Sequence, residues 1–330
     1  MSAPFPLSDH FDGQRFSTPG APRMARLGDL LKWRLGKRAA PAGAWPRWVP
    51  ITPRALPPRP AAGSPGMVAT WINHATFLLQ TGSANIIFDP LFSRRAGPFG
   101  ITGPARVHAP GVALDALPPI DAVCLSHDHY DHCDLPSLRQ LARRAAPPIA
   151  IAPLGCGALL RRAGFAPRHI VELDWWQPHT LPSGARVALT PAQHWSKRLT
   201  VRRNRRLWGG FFITLPAGTS AYYAGDTGYH ATMFCDIAAR LGAPDLALLP
   251  IGAYEPRWFM HPQHCNPFEA VRIHRDLRAR QSVAMHWGAF RLTDEARDAP
   301  PRALAQALRE AGLAPEVFRV IEPGESLAIG

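Results

Sequence analysis

The chain of 330 residues is 46% hydrophobic and 18% charged, which excludes a disordered tail or a fibrous polypeptide and leaves enough apolar material for a core. Its formal net charge is +13, yet the only lysines among the 37 basic residues are Lys32, Lys37 and Lys197. Arginine bias of this kind is as well explained by GC-rich coding as by selection for polyanions, and a charge total speaks to non-specific association, not to a site.

Residues 1–20 lack the unbroken apolar stretch of an export signal. Residues 1–66 form a Pro- and Arg-rich N-terminal extension with one helical period, Leu27, Leu30, Leu31 and Leu35, bordered by Arg26, Lys32, Arg34, Lys37 and Arg38 with Trp33 nearby. Such a basic amphipathic helix either lies at an anionic membrane surface or packs on the following domain as an arm. From residue 67 short apolar runs alternate with helical periods. Strands are expected at 68–72, 76–80, 85–88, 122–125, 149–152, 187–190, 211–215, 221–223, 246–249 and 282–285. Helices are expected at 135–145, 232–241, 267–280 and 302–311, the third opened by Asn266 as N-cap, Pro267 at the first helical position and Glu269 completing a capping box. The run 145–160 is broken by Pro147, Pro148, Pro153, Gly155 and Gly157 and falls short of the ~20 apolar residues of a spanning helix. Five cysteines, Cys124, Cys133, Cys156, Cys235 and Cys265, contain no CxxC pair and point to a reducing, cytoplasmic compartment. One α/β domain over residues 67–330 is the economical organisation.

The segment Cys124-Leu-Ser-His127-Asp-His129-Tyr-Asp131-His132 brings three imidazoles and two carboxylates to the end of an expected strand, just before a helix. These are ligand types for zinc and similar cations, and alternate side chains of a strand-end loop can face two centres. A local cluster cannot fill two coordination spheres. His194, Asp226 and His286 each follow a later expected strand, at the edge where α/β sheets place ligands. Cys124 and Cys133 flank the cluster in positions suited to packing.

The order His127-x-His129-x-Asp131-His132, then His194, Asp226 and His286, resembles the metallo-β-lactamase-fold hydrolases. The resemblance narrows through Trp71-Ile-Asn-His74-Ala-Thr76-Phe, Asp89-Pro90, Trp175-Trp176, Gly225-Asp226-Thr-Gly, Pro250-Ile-Gly-Ala-Tyr254-Glu-Pro-Arg-Trp258 and Asn266-Pro-x-Glu-Ala-Val to the branch of N-acyl-phosphatidylethanolamine-hydrolysing phospholipase D. It covers nearly all of residues 67–330 and implies an αββα sandwich behind the N-terminal extension. It also implies two divalent metal ions, zinc first among them. His127, His129 and His194 would bind one, Asp131, His132 and His286 the other, and Asp226 would bridge them. Asp131, Asp226 and His264 are the expected catalytic residues, and His74 is expected to support a ligand by hydrogen bonding. Asn73 stands where the branch commonly has glycine, and asparagine tolerates the left-handed backbone that a turn there requires.

The expected chemistry is hydrolysis by a metal-bridging hydroxide. The expected substrate is a phosphodiester, specifically an N-acyl-phosphatidylethanolamine-like lipid. Peripheral contact with the inner membrane face and a homodimer accompany that reading; nucleic acid is not the expected partner. Lactonase or other acyl-ester hydrolysis, a nucleic-acid phosphodiesterase, and a non-catalytic metal-binding or membrane-adaptor protein stay open as alternatives. Arg202, Arg203, Arg205 and Arg206 would meet phosphate oxygens or form a solvated loop. Trp195, Trp208, Trp258 and Trp287 would line an acyl channel or pack at core and rim.

Overall fold

Alternation within the strands decides the layering. In the computed structural model, which describes residues 5–23, 27–36, 45–52, 54–199 and 201–330, the first five strands of the first sheet are buried on both faces. Six of its strands run as β1 (Met67–Asn73), β2 (Thr76–Thr81), β3 (Asn85–Phe88), β4 (Ala122–Cys124), β5 (Ile149–Pro153) and β6 (Ile170–Leu173). Phe77, Leu79, Ile86, Phe88, Ala122 and Cys124 point one way, while Leu78, Ile87 and Val123 point the other, as a period of two requires.

The second sheet contains β7 (Pro178–Thr180), β8 (Arg186–Thr190), β9 (Gly210–Thr214), β10 (Ser220–Tyr223), β11 (Leu246–Pro250), β12 (Gln281–Met285) and β13 (Phe318–Arg319); β14 (Ser326–Ile329) returns to the first. The orders are β14-β1-β2-β3-β4-β5-β6 and β13-β12-β11-β10-β9-β8-β7. Each sheet is antiparallel at one side and parallel at the other. The inner faces interdigitate in one apolar core containing Trp71, Phe88, Leu189, Phe211 and Tyr223. The outer face of the first sheet is covered by α2 (Leu135–Ala142) and α3 (Gly157–Ala163), through Leu138, Leu141, Leu159 and Leu160. Helices α4 (Met233–Leu241), α6 (Pro267–Asp276) and α7 (Ala299–Glu310) bring Phe234, Ile273 and Leu304 to the second. This is the αββα sandwich expected of the resemblance.

Element ends depart from the sequence reading where local chemistry decides them. α7 begins three residues before the expected 302, because Pro300 and Pro301 occupy the first turn, where a missing N–H costs nothing. α6 carries the full capping box, with Asn266 Oδ1 accepting from Glu269 N and Glu269 Oε2 accepting from Asn266 N, both at 2.9 Å. It ends at Asp276, not 280, before the left-handed Arg278. β6, β7, β13, β14, α3 and the one-turn α5 (Arg257–Met260) were not anticipated.

The N-terminal extension packs on the sandwich. Phe11 and Phe16 join the central core, and Phe16 exchanges hydrogen bonds with Asn204. Helix α1 (Leu27–Leu35) sets Trp33 against Phe259 of α5, with ring centroids 5.0 Å apart. Leu31 and Leu35 stay exposed. Arg26, Lys37 and Arg38, expected to border this helix, lie outside the described residues, as do the side chains of Leu27 and Arg34. No helix among the described residues is long and apolar enough to cross a membrane.

Candidate metal centre

The ligand-bearing residues follow strand ends that open at the same side of the sandwich. The loop after β4 carries His127, His129, Asp131 and His132 before α2. His194 follows β8, Asp226 follows β10, His286 follows β12, and His74 sits in the β1–β2 turn. Two of these positions depend on tight backbone. Gly225 has φ +61°, and a Cβ there would lie 2.9 Å from Ser126 Cβ, so only glycine lets the Asp226 strand end close on the His127 loop. In the β1–β2 turn the left-handed residue is His74 itself, at φ 45°. Asn73 instead ends β1 and donates from Nδ2 to Leu91 O at 3.1 Å, which corrects the expectation that Asn73 takes the strained conformation.

The side chains converge on two adjoining points. His127 Nε2 and His194 Nε2 lie 2.9 and 3.2 Å from His129 Nδ1, and Asp226 Oδ2 is 3.8 Å from His127 Nε2 and 3.7 Å from His194 Nε2. Asp131 Oδ2 lies 3.2 Å from His74 Nε2, 3.7 Å from His132 Nε2 and 3.5 Å from His286 Nε2. Asp226 belongs to both neighbourhoods, with Oδ2 3.2 Å from His132 Nε2 and Oδ1 3.0 Å from His286 Nε2. Donor atoms of His127, His129, His194 and Asp226 fall within 4.8 Å of one another, as do those of His74, Asp131, His132 and His286.

Such a cluster satisfies a cation better than it satisfies itself. His129 Nε2, His132 Nε2, His264 Nδ1, His286 Nε2 and Asp226 Oδ1 are buried without a hydrogen-bond partner among the described residues, and unpaired buried polar atoms are costly. Burial opposes ionisation of Asp226, but the charges of His132, His286 and His264 hold it well below the usual carboxylate range; Asp131 is lowered against burial by His132, His286 and His74. Burial keeps His127, His129 and His194 neutral, pushing His129 to about 4 and His194 to about 3. Burial likewise opposes charge on His132 and His286, but the carboxylates overcome it, raising His286 to about 9. The donor set therefore fits divalent cations, whose positive charge can balance the buried carboxylates of Asp131 and Asp226. Burial lifts the Cys133 thiol to about 12 and keeps it out of the thiolate form a ligand needs. Among the described residues no cysteine belongs to the donor groups or to a disulfide.

Outer partners fix the rings. Asp89 Oδ2 accepts from His132 Nδ1 at 2.6 Å and from Tyr223 Oη at 2.7 Å, and Asp89 Oδ1 accepts from Ser126 N at 2.7 Å. Ser126 Oγ is 2.9 Å from His127 Nδ1, and Gln263 O takes His194 Nδ1 at 2.9 Å. These contacts hold each ring with its opposite nitrogen toward the centre. The sequence reading quoted Asp89 only within a motif and missed Ser126, Tyr223 and Gln263; the Asp89-Pro90 strand end was the one available signal. His264 stands just before the α6 cap, with Nδ1 3.9 Å from Asp226 Oδ2, and burial pushes it to about 3.

A cavity of about 440 Å³ opens beside these groups, reaching His129, Asp131, Asp226 and His264. Of the arginine run, Arg203 lines it with its guanidinium 4.3 Å over Trp195. Arg206 instead pairs with buried Asp128 at 2.8 Å, and Arg205 donates to Gln14 O. Trp208 and Trp287 are core residues, whereas Trp258 is half-exposed.

Residues 84–287 match the β-lactamase superfamily domain. The chain belongs to that family and has the metallo-β-lactamase fold of metal-dependent hydrolases. It is 43% identical over 230 residues to an uncharacterized protein of Mycobacterium tuberculosis, covering 68% of this chain and 60% of that relative. It is also 36% identical over 231 residues to N-acyl-phosphatidylethanolamine-hydrolyzing phospholipase D 1 of Caenorhabditis elegans, covering 68% and 65%. The chain thus spans less than two thirds of the length of these relatives. A solved metallo hydrolase of the archaeon Ignicoccus hospitalis superposes with a TM-score of 0.59 at 25% identity, over 80% of this chain and 99% of that one.

Proposed function

We propose that this metal-dependent hydrolase is a binuclear phosphodiesterase of phospholipase D type acting on N-acyl-phosphatidylethanolamine-like lipids. The observation that carries the reading is Asp226, whose two oxygens face two neighbouring donor groups. His127, His129 and His194 would hold one cation, Asp131, His132 and His286 the other, and Asp226 both; zinc suits this imidazole–carboxylate set. Such a pair supplies Lewis acidity at a phosphoryl oxygen and a water acidic enough to attack at neutral pH. His74 holds Asp131 through Nε2, and His264, neutral at the cavity wall, can give a ring N–H hydrogen bond to an oxygen of the substrate. In the net reaction a water O–P bond forms as the P–O bond to the departing alkoxide breaks, and a proton from water ends on the released alcohol.

The lipid assignment draws on the 36% identity to the nematode phospholipase D and on a cavity with both apolar and cationic lining. Exposed Leu31, Leu35 and Trp258 support a bilayer as the source of substrate, and unpaired cysteines support a cytoplasmic setting. The test is a panel of phosphodiesters, N-acyl-phosphatidylethanolamine and lactones on zinc-reconstituted protein, with His129→Ala and Asp226→Ala as controls. Turnover of the phosphodiesters, lost in both variants, is expected. Acid release from lactones alone, or undiminished turnover in both variants, overturns the reading.

A further inference from the structure

Helix α1 precedes both the first strand and the family-matched residues 84–287, yet it borders the catalytic cavity. Leu30 and Trp33 line the same 440 Å³ space as His129, Asp131, Asp226 and His264. Trp33 is held there: its ring packs on Phe259, its Nε1 donates to Asp294 Oδ2 at 2.6 Å, and only 9% of it is exposed. Leu30 and Met260 complete this small apolar cluster, which is separate from the sandwich core. The cavity lining is therefore divided. Leu30, Trp33, Phe259, Met260 and Leu292 make it apolar, while Lys197 and Arg203 add positive charge near the carboxylates of the metal centre.

A helix that only braced the domain would have no need to border the reaction space. Here two side chains from upstream of the family-matched region supply part of the apolar lining, so the chain before β1 enters into what the cavity admits. An apolar lining of this size excludes water from the matching part of a ligand, while a few polar groups orient it. A substrate that uses the whole cavity carries an apolar chain close to its anionic reacting group.

We propose that α1 is a specificity element of the active site: Leu30 and Trp33 form the wall along which the apolar chain of an amphiphilic phosphodiester lies. This rests on the phosphodiesterase reading for the reacting group, but the wall itself does not. Lys197 and Arg203 complement the anionic part of the same molecule.

Two measurements separate the claims. The first compares kcat/KM for an N-palmitoyl phosphatidylethanolamine with that for bis(p-nitrophenyl) phosphate, in zinc-reconstituted full chain and in Trp33→Ala and Leu30→Trp. The long-chain to aryl ratio is expected to fall about tenfold in each variant, since a change in an apolar pocket discriminates on that scale; ratios within twofold of wild type in both overturn the proposal. Leu30→Trp narrows the cavity without deleting the helix anchor, so it keeps the test valid where Trp33→Ala loosens α1. The second follows quenching of tryptophan fluorescence in metal-free protein by monomeric brominated-acyl lysophosphatidylethanolamine. Part of the quenching is expected to vanish in Trp33→Phe, and equal quenching in that variant and wild type overturns the wall. If wild type cleaves no phosphodiester while Trp33-dependent quenching persists, the proposed reaction fails and the role of α1 stands.

Discussion

Replacing Asp89 by asparagine tests how the centre is held. The Asp89 carboxylate is fully buried, and its Oδ2 receives His132 Nδ1 at 2.6 Å, Tyr223 Oη at 2.7 Å and Ser126 Oγ at 2.5 Å. An amide can keep one oxygen for Ser126 N but sets an NH2 where Oδ2 stood. Tyr223 can turn its proton to Ala75 O, already 3.0 Å away. His132 has no such escape. To keep a bond it must accept at Nδ1, which moves its ring proton to Nε2, the atom facing Asp226 and Asp131. Metal binding must then strip or reverse that proton. Loss of such a partner typically weakens metal binding about 10- to 100-fold, or about 1.4 to 2.8 kcal/mol. Removing a charged acceptor from buried donors costs about 1.5–3 kcal/mol of folding stability as well. Zinc affinity by competition with a fluorescent chelator and urea unfolding by circular dichroism read the two effects. An Asp89→Asn protein that binds zinc within twofold of wild type would refute the orienting role.

Gly225→Ala should unfold at lower urea and lose metal affinity: the new methyl meets Ser126 Cβ at 2.9 Å and the backbone keeps φ +61°, together costing about 1–3 kcal/mol; an unchanged midpoint in urea refutes the close approach. His10 ties the N-terminal arm to the domain, lying 2.8 Å from Asp174 and 2.6 Å from Asp9 and stacking on Trp175. Burial opposes its charge, but the hydrogen bonds to Asp174 and Asp9 raise it above the ordinary 6.5, while Asp174 is lowered against burial by His10. The His10 contribution is therefore complete below the unfolded value and lost as pH rises through the folded one; the Asp174 contribution is lost in acid. The difference in urea midpoint between wild type and His10→Gln should be wider near about pH 5.5 than near about pH 9, and the opposite order contradicts the assignment.

Ligand types were legible because the chemistry is local: three histidines and an aspartate inside six positions after a buried strand have few other uses. His194, Asp226 and His286 were legible through their place after apolar runs, since sheets that open at one edge bring such positions together. The support around them was not. Asp89, Ser126 and Tyr223 meet only after β3, β4 and β10 lie against one another across the sandwich, and no spacing in the sequence encodes that approach. Neither could the period of α1 say which surface it faces; its two leucines at 31 and 35 remain in solvent while Trp33 goes to α5. β6 and β7 escaped notice because they are short and only partly buried, so they lack a strong apolar signature. Pro300 and Pro301 form the opening turn of α7, ahead of the 302 at which the helical period alone starts it.

β14 closes the first sheet by pairing with β1, from Met67 against Ile329 to Thr70 against Ser326. Nearly all the domain is synthesised between these partners, so during translation the outer rim of β1 stays bare until β14 leaves the ribosome. Pairings so distant in sequence form slowly, and a bare rim invites neighbouring nascent chains to add to it. Expression yield should therefore depend on residues 326–329 being intact far more than their four side chains alone would suggest.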